Sequence, residues 1–161
     1  MRKFFLPNGK QRRPIFIILI STSVKRGVRL LNARKQVLIQ DEINSQATVQ
    51  WRMHTNATVT IGSGGTSATL NLDGQVMTVS ILNPPSGAVF TTSAAVRFPT
   101  DPTPPQPDQP NPGVTVLIIA LPAGTHTLEV LFNPQWPGMS ASGFVTPPSV
   151  PIDSWSLTSH N

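Results

Sequence analysis

From Arg26 onward, apolar and polar positions alternate with a period of two. In "ATVQWRMHT", Ala47, Val49, Trp51 and Met53 share one parity, while Thr48, Gln50, Arg52 and His54 share the other. Successive side chains of a strand point to opposite faces, so this stretch predicts a strand with one packed face and one wet face. "QVLIQDEI" (36–43), "ATVTI" (57–61), "ATLNLDG" (68–74), "VMTVSIL" (76–82), "SAAVRF" (93–98) and "HTLEVLF" (126–132) predict further strands. "VTVLIIAL" (114–121) is apolar on both parities and predicts a central strand covered on both sides. Turn chemistry separates the runs: "GSGG", "NLDG", "NPPSG" and "LPAG" supply the glycines, prolines and asparagines that reversals require.

Short strands without helical periodicity can bury their apolar faces only against another sheet. The expected fold is therefore all-β, an antiparallel β-sandwich of about seven to nine short strands. Composition agrees, with 17 prolines, 11 glycines and only 12% charged residues among 161. "PTDPTPPQPDQPNPG" (99–113) holds seven prolines in 15 residues. Without their N–H groups it cannot join a ladder, so it predicts an exposed, partly polyproline II loop inside the domain. There is no cysteine, which excludes a disulfide framework and a thiolate metal site.

Charge divides the chain. Ten of the twelve basic residues lie in the first 35 positions, which hold no acid, whereas the rest carries two bases and all seven acids. The break suggests a basic and apolar leader of uncertain origin over residues 1–25, followed by a sandwich domain over 26–161. "MRKFFLPNGKQRRPIFIILISTS" has the outline of a secretion signal, but its run Ile15–Ile20 is shorter than the roughly 7–15 residues of a signal core. It is far below the roughly 20 that span a bilayer. A signal, an edge strand and a non-native leader all remain open, and no membrane span is expected. A nucleic-acid arm is disfavoured, because the basic residues are accompanied only by Phe4, Phe5 and Phe16 and by no recognisable motif.

The order of segments in "RGVRLLNARKQVLIQDEINSQATVQWRMHTNATV", "GAVFTTSAAVR" and "PNPGVTVLIIALPAGTHTLEVLFNPQW" resembles the C-terminal β-sheet region of heparinase II/III-like proteins, in the form of fungal secreted members. The resemblance covers about residues 26–161. It implies a polysaccharide lyase that abstracts the C5 proton of a uronic acid and eliminates the 4-O-linked sugar. In that family an N-terminal α/α toroid supplies most of the groove and a catalytic tyrosine, and the sandwich that follows can add a histidine or a structural metal site. These residues contain no toroid and no tyrosine. The expectation is an accessory sandwich, inactive alone, whose partners are a polysaccharide or the toroid. The alternative is a free-standing secreted carbohydrate-binding or adhesion module.

Few side chains suggest chemistry. His54 is a candidate general base, because an imidazole titrates near neutrality, and Arg52 on the same face would pair with a uronate carboxylate. The plain alternative is an exposed strand face that carries both. Trp136 in "NPQWPG" is a loop indole able to stack on a sugar. Asn56 in "NAT" fits the glycosylation pattern and points to the solvent side, which would accord with an extracellular location. His126 shares parity with Leu128 and Val130 and is expected to face inward with its ring satisfied. His160 lies at the C-terminus. No metal or other cofactor is expected, since the histidines have no ligand spacing, although Asp41 and Asp73 would be possible additions. Asp41 and Glu42 should point to opposite faces, unlike a glycosidase pair, and mark a strand end. Trp51 and Trp155, the latter alternating with Leu157, read as core.

Overall fold

Among the described residues, most apolar runs between turn signals close as strands. The computed structural model describes residues 22–107 and 111–156. Among the described residues nine strands form: β1 (Thr22–Leu31), β2 (Gln36–Ser45), β3 (Val49–Thr55), β4 (Thr58–Ile61), β5 (Ser67–Leu72), β6 (Gln75–Leu82), β7 (Phe90–Ala94), β8 (Thr115–Leu121) and β9 (Gly124–Pro134). They build two antiparallel sheets, one of six strands in the order β1-β2-β9-β6-β5-β4 and one of three in the order β3-β8-β7. The protein is an all-β sandwich, as the alternation predicts. Among the described residues the helical elements are two short 3₁₀ turns, Ala141–Gly143 and Ile152–Ser154.

The core lies between the sheets. Ile43, Leu70, Val79, Ile81, Leu128, Val130 and Phe132 of the large sheet meet Trp51, Phe90, Leu117, Ile119 and Leu121 of the small one. β8 is the central strand of its sheet, with Leu117, Ile119 and Leu121 inward and Val116 and Ile118 buried on the other side. Trp51 is core as expected, although its buried Nε1–H has no partner among the described residues.

Three details bear on the sequence expectations. β1 is described from Thr22 and includes residues on both sides of the expected boundary after residue 25. That strand escapes a parity search because Arg26 occupies the apolar register and Gly27 interrupts the polar one. Arg26 stands opposite Asp41 of β2 and makes a bidentate pair with it, Nε–Oδ1 2.7 Å and Nη2–Oδ2 2.8 Å. The hydrogen bond to Asp41 holds the guanidinium above its ordinary pKa, against a smaller effect of burial. Second, Asp41 and Glu42 do face opposite ways but sit within β2, not at a strand end; the Arg26 pair is what lets a carboxylate lie buried there. Third, β7 occupies 90–94 instead of 93–98. Val96, Arg97 and Phe98 leave the sheet for a turn in which the Asp101 N–H donates 3.0 Å to the Phe98 carbonyl. Proline follows Phe98 directly and biases it away from a continuing ladder.

The outer face of the large sheet is covered by the segment from 143 to 155. Its prolines prevent regular pairing, so side chains of β2 take the place of a partner strand. Gln36 accepts from the Val145 N–H at 2.9 Å and donates to the Val145 carbonyl at 3.0 Å. Gln40 donates to the Val150 carbonyl at 2.9 Å, and Glu42 accepts from the Ile152 N–H at 2.7 Å. Trp155 completes this cover beside Leu31, Leu38, Leu82 and Leu131, a second hydrophobic cluster on the outer side of the sheet. Its ring lies so close over Gly27 that a Cβ there would stand 2.5 Å from Cζ3. Arg29 lies over the same indole at 5.2 Å. Leu157, His160 and the run Ile15–Ile20 lie outside the described residues.

Candidate ligand-binding site

The outer face of the small sheet carries the two residues singled out by the alternation. Arg52 and His54 of β3 stand opposite Ile118 and Val116 of β8, which stand opposite Thr91 and Ser93 of β7. The proline-rich loop leaves from the end of β7 and returns into β8. Its two arms, 94–98 with Asp101 and 111–114, make a cleft of about 770 Å³ with Arg52 and His54. The Arg52 guanidinium lies 4.9 Å from the Phe98 ring centre, a cation–π contact that ties the loop to the strand. Arg52 Nη1 also donates 3.0 Å to Gln50 Oε1. Arg97 Nη1 donates 3.1 Å to the Pro102 carbonyl, and Asp101 Oδ2 accepts from the Phe98 N–H at 2.8 Å.

Two guanidinium groups and an imidazole therefore share one open cleft in which, among the described residues, the carboxylate is that of Asp101, with Oδ2 engaged by the Phe98 N–H. The guanidinium chemistry of such a place suits an anionic group. It is poorly arranged for proton abstraction, because among the described residues no side chain hydrogen-bonds His54 and no carboxylate pairs with it. A general base is ordinarily held in position by a third group. Among the described residues no group of three histidine or acidic side chains could hold a metal. Asp41 is committed to Arg26, and Asp73 lies exposed in the β5–β6 turn.

The remaining candidates are dispersed. Asn56 is exposed in the turn between β3 and β4, where Thr55 Oγ1 accepts from the Ala57 N–H at 3.0 Å. His126 is half-buried on the inward parity, and its Nε2 lies 2.9 Å from the Pro122 carbonyl oxygen. Trp136 belongs to the loop after β9, with its indole N–H on the Lys35 carbonyl at 2.8 Å. It is remote in sequence from the residues lining the Arg52 cleft and is not among them. The sequence expectations missed Arg97, Phe98 and Asp101, which looked like strand and spacer. Their signal was an arginine and an aromatic residue next to a proline, too common to stand out.

Inner-face residues of β1 complete the inventory. Val24, Val28 and Leu30 pair with Ile43, Ile39 and Val37, but the small sheet covers β2 and stops short of β1. They remain 53%, 59% and 50% exposed. Compared with known proteins, the chain matches no family model and no curated protein. No helix among the described residues is long and apolar enough to cross a membrane.

Proposed function

We propose that this chain is the C-terminal sandwich of a heparinase II/III-like polysaccharide lyase, where it braces a helical toroid and forms one wall of a groove for uronic-acid polysaccharide. The observation that carries this reading is the Arg52–His54 cleft. Arg52 and Arg97 suit a sugar carboxylate, while the unoriented His54 and the absence of any tyrosine in the chain leave elimination to groups from elsewhere. The apolar strip of Val24, Val28 and Leu30 supports it as a surface for a neighbouring domain. An extracellular location and a glycan on Asn56 accord with the exposure of that residue.

The full chain incubated with polyuronates should bind short uronate oligosaccharides weakly and release no unsaturated uronide, and Arg52→Ala should weaken that binding. Measurable release of unsaturated uronide by the purified chain would refute the accessory role. A second reading, a self-sufficient carbohydrate-binding module, is supported by the fixed and exposed indole of Trp136. It requires polysaccharide affinity in the full chain without any added domain, measured by affinity electrophoresis.

A further inference from the structure

The loop after β9 returns to the β1–β2 turn, and the Trp136–Lys35 hydrogen bond fixes the indole there while leaving the residue 43% exposed. The ring borders two clefts. One, of about 480 Å³, is lined with Trp136 by Arg34, Lys35 and Met139. The other, of about 370 Å³, is apolar and runs over Leu72, Val76 and Met77. Lys25 and Arg26 are engaged with acids, but among the described residues neither Arg34 nor Lys35 has an acidic partner.

The turn that presents these cations is unusual. Asn32, Ala33 and Arg34 adopt φ of 52°, 53° and 68°, three successive left-handed residues without a glycine. This backbone is unfavourable for residues with a Cβ. Asn32 Nδ2 holds it in place through bonds to the Gly143 carbonyl at 2.7 Å and to Gln36 Oε1 at 3.0 Å. Strain kept by surrounding contacts is a pointer to function when it displays side chains, as this turn does.

We propose that Trp136, Arg34 and Lys35 form a binding site for an acidic saccharide, separate from the Arg52 cleft. One face of a pyranose ring packs its C–H groups on the indole, whose face is electron-rich. The carboxylate or sulfate of the same or the adjoining sugar takes charge-assisted hydrogen bonds from Arg34 and Lys35. A single-stranded nucleic acid fits less well, because successive bases need successive aromatic platforms, whereas Pro137, Gly138 and Met139 follow the one indole. The inference shares with the proposed function the class of ligand and, with its second reading, Trp136, and it needs neither a toroid nor catalysis.

The test is titration of the full chain with polygalacturonate, with its carboxyl-reduced neutral form, and with a single-stranded oligonucleotide, followed by calorimetry and tryptophan fluorescence. Polygalacturonate should quench Trp136 emission, and the double variant R34A/K35A should lose at least about tenfold in affinity and show a flatter salt dependence. The neutral polymer should bind at least about tenfold more weakly, as expected when a charge-assisted pair is lost. Trp136→Ala should abolish the quenching and weaken binding in calorimetry. Trp136→Phe, which keeps an aromatic face without the Lys35 hydrogen bond, should retain part of the affinity and serves where the alanine variant misfolds. Quenching that survives R34A/K35A but is lost in Arg52→Ala would overturn this site and leave the Arg52 cleft standing. Equal affinity for the neutral polymer, preference for the oligonucleotide, or no binding of polygalacturonate by the unmodified chain would also overturn it.

Discussion

The two faces of the six-stranded sheet are closed by different physics, although they belong to the same strands. Inward, Ile43, Leu128 and Val130 lie against a second sheet and need no directional contact. Outward, the same strand β2 presents Gln36, Gln40 and Glu42 to a proline-bearing segment whose backbone they hydrogen-bond in place of a ladder. An apolar seam tolerates small shifts in geometry but requires a large matching surface. A polar seam can seal with a single extended segment, provided that each buried amide finds its partner.

The comparison can be broken from the apolar side first. Ile119 is fully buried in the small sheet, so Ile119→Ala should cost about 2–5 kcal/mol and lower the denaturant midpoint of the whole domain. Retention of the wild-type midpoint would show that the seam between the sheets is not what holds the fold. Gln36→Ala should be smaller and local, about 1–3 kcal/mol, because it strands buried partners while leaving the core untouched. Hydrogen exchange should then accelerate at Val145 and leave β8 protected; equal acceleration in both would mean that the cover and the core unfold as one unit.

Gly27→Ala probes the edge of the outer seam. Its Cβ collides with the Trp155 ring, so the indole must move and the Arg29 contact with it, at a cost of about 1–2 kcal/mol. A fall in Trp155 fluorescence anisotropy would report the displacement. Ala33→Gly should act in the opposite direction, raising stability by up to about 1 kcal/mol through relief of the left-handed turn. A drop in thermal midpoint would contradict strain there.

The smallest effect belongs to Lys25 and Asp153, 2.6 Å apart but solvent-exposed. The hydrogen bond to Asp153 holds the Lys25 ammonium above its ordinary value. Whatever the pair contributes is therefore complete at pH below the lysine range and is lost as pH rises through the raised pKa. Asp153→Asn should leave the thermal midpoint at neutral pH nearly unchanged, which separates this ion pair from the buried amide contacts beside it.

Much of the sandwich is legible because alternation records burial directly. Trp51 inward and Arg52 and His54 outward follow from parity alone, as does the double burial of β8. β1 was not legible, because its apolar register contains Arg26, and only the neighbouring Asp41 makes that position acceptable. Parity marks Trp155 as a packing residue, but it gives a side chain a direction and not the surface waiting there, here the outer cluster of Leu31, Leu38 and Leu131. The Arg52 cleft was half legible. Its strand residues are periodic, but Arg97, Phe98 and Asp101 come from a loop whose path is set by cation–π and turn contacts across the sheet. Arg34 and Lys35 read only as part of a basic stretch until the chain brought Trp136 back from a hundred residues away.

By itself, then, the sequence determined the period, the turns and the side of each strand that would be dry, because these are local consequences of where apolar groups fall along an extended backbone. Only the tertiary structure decided which dry faces met, that proline-rich chain would replace a strand over Gln36 and Gln40, and which cations stand beside an indole. Those outcomes depend on directional contacts between distant residues, and no local pattern encodes the distance between them.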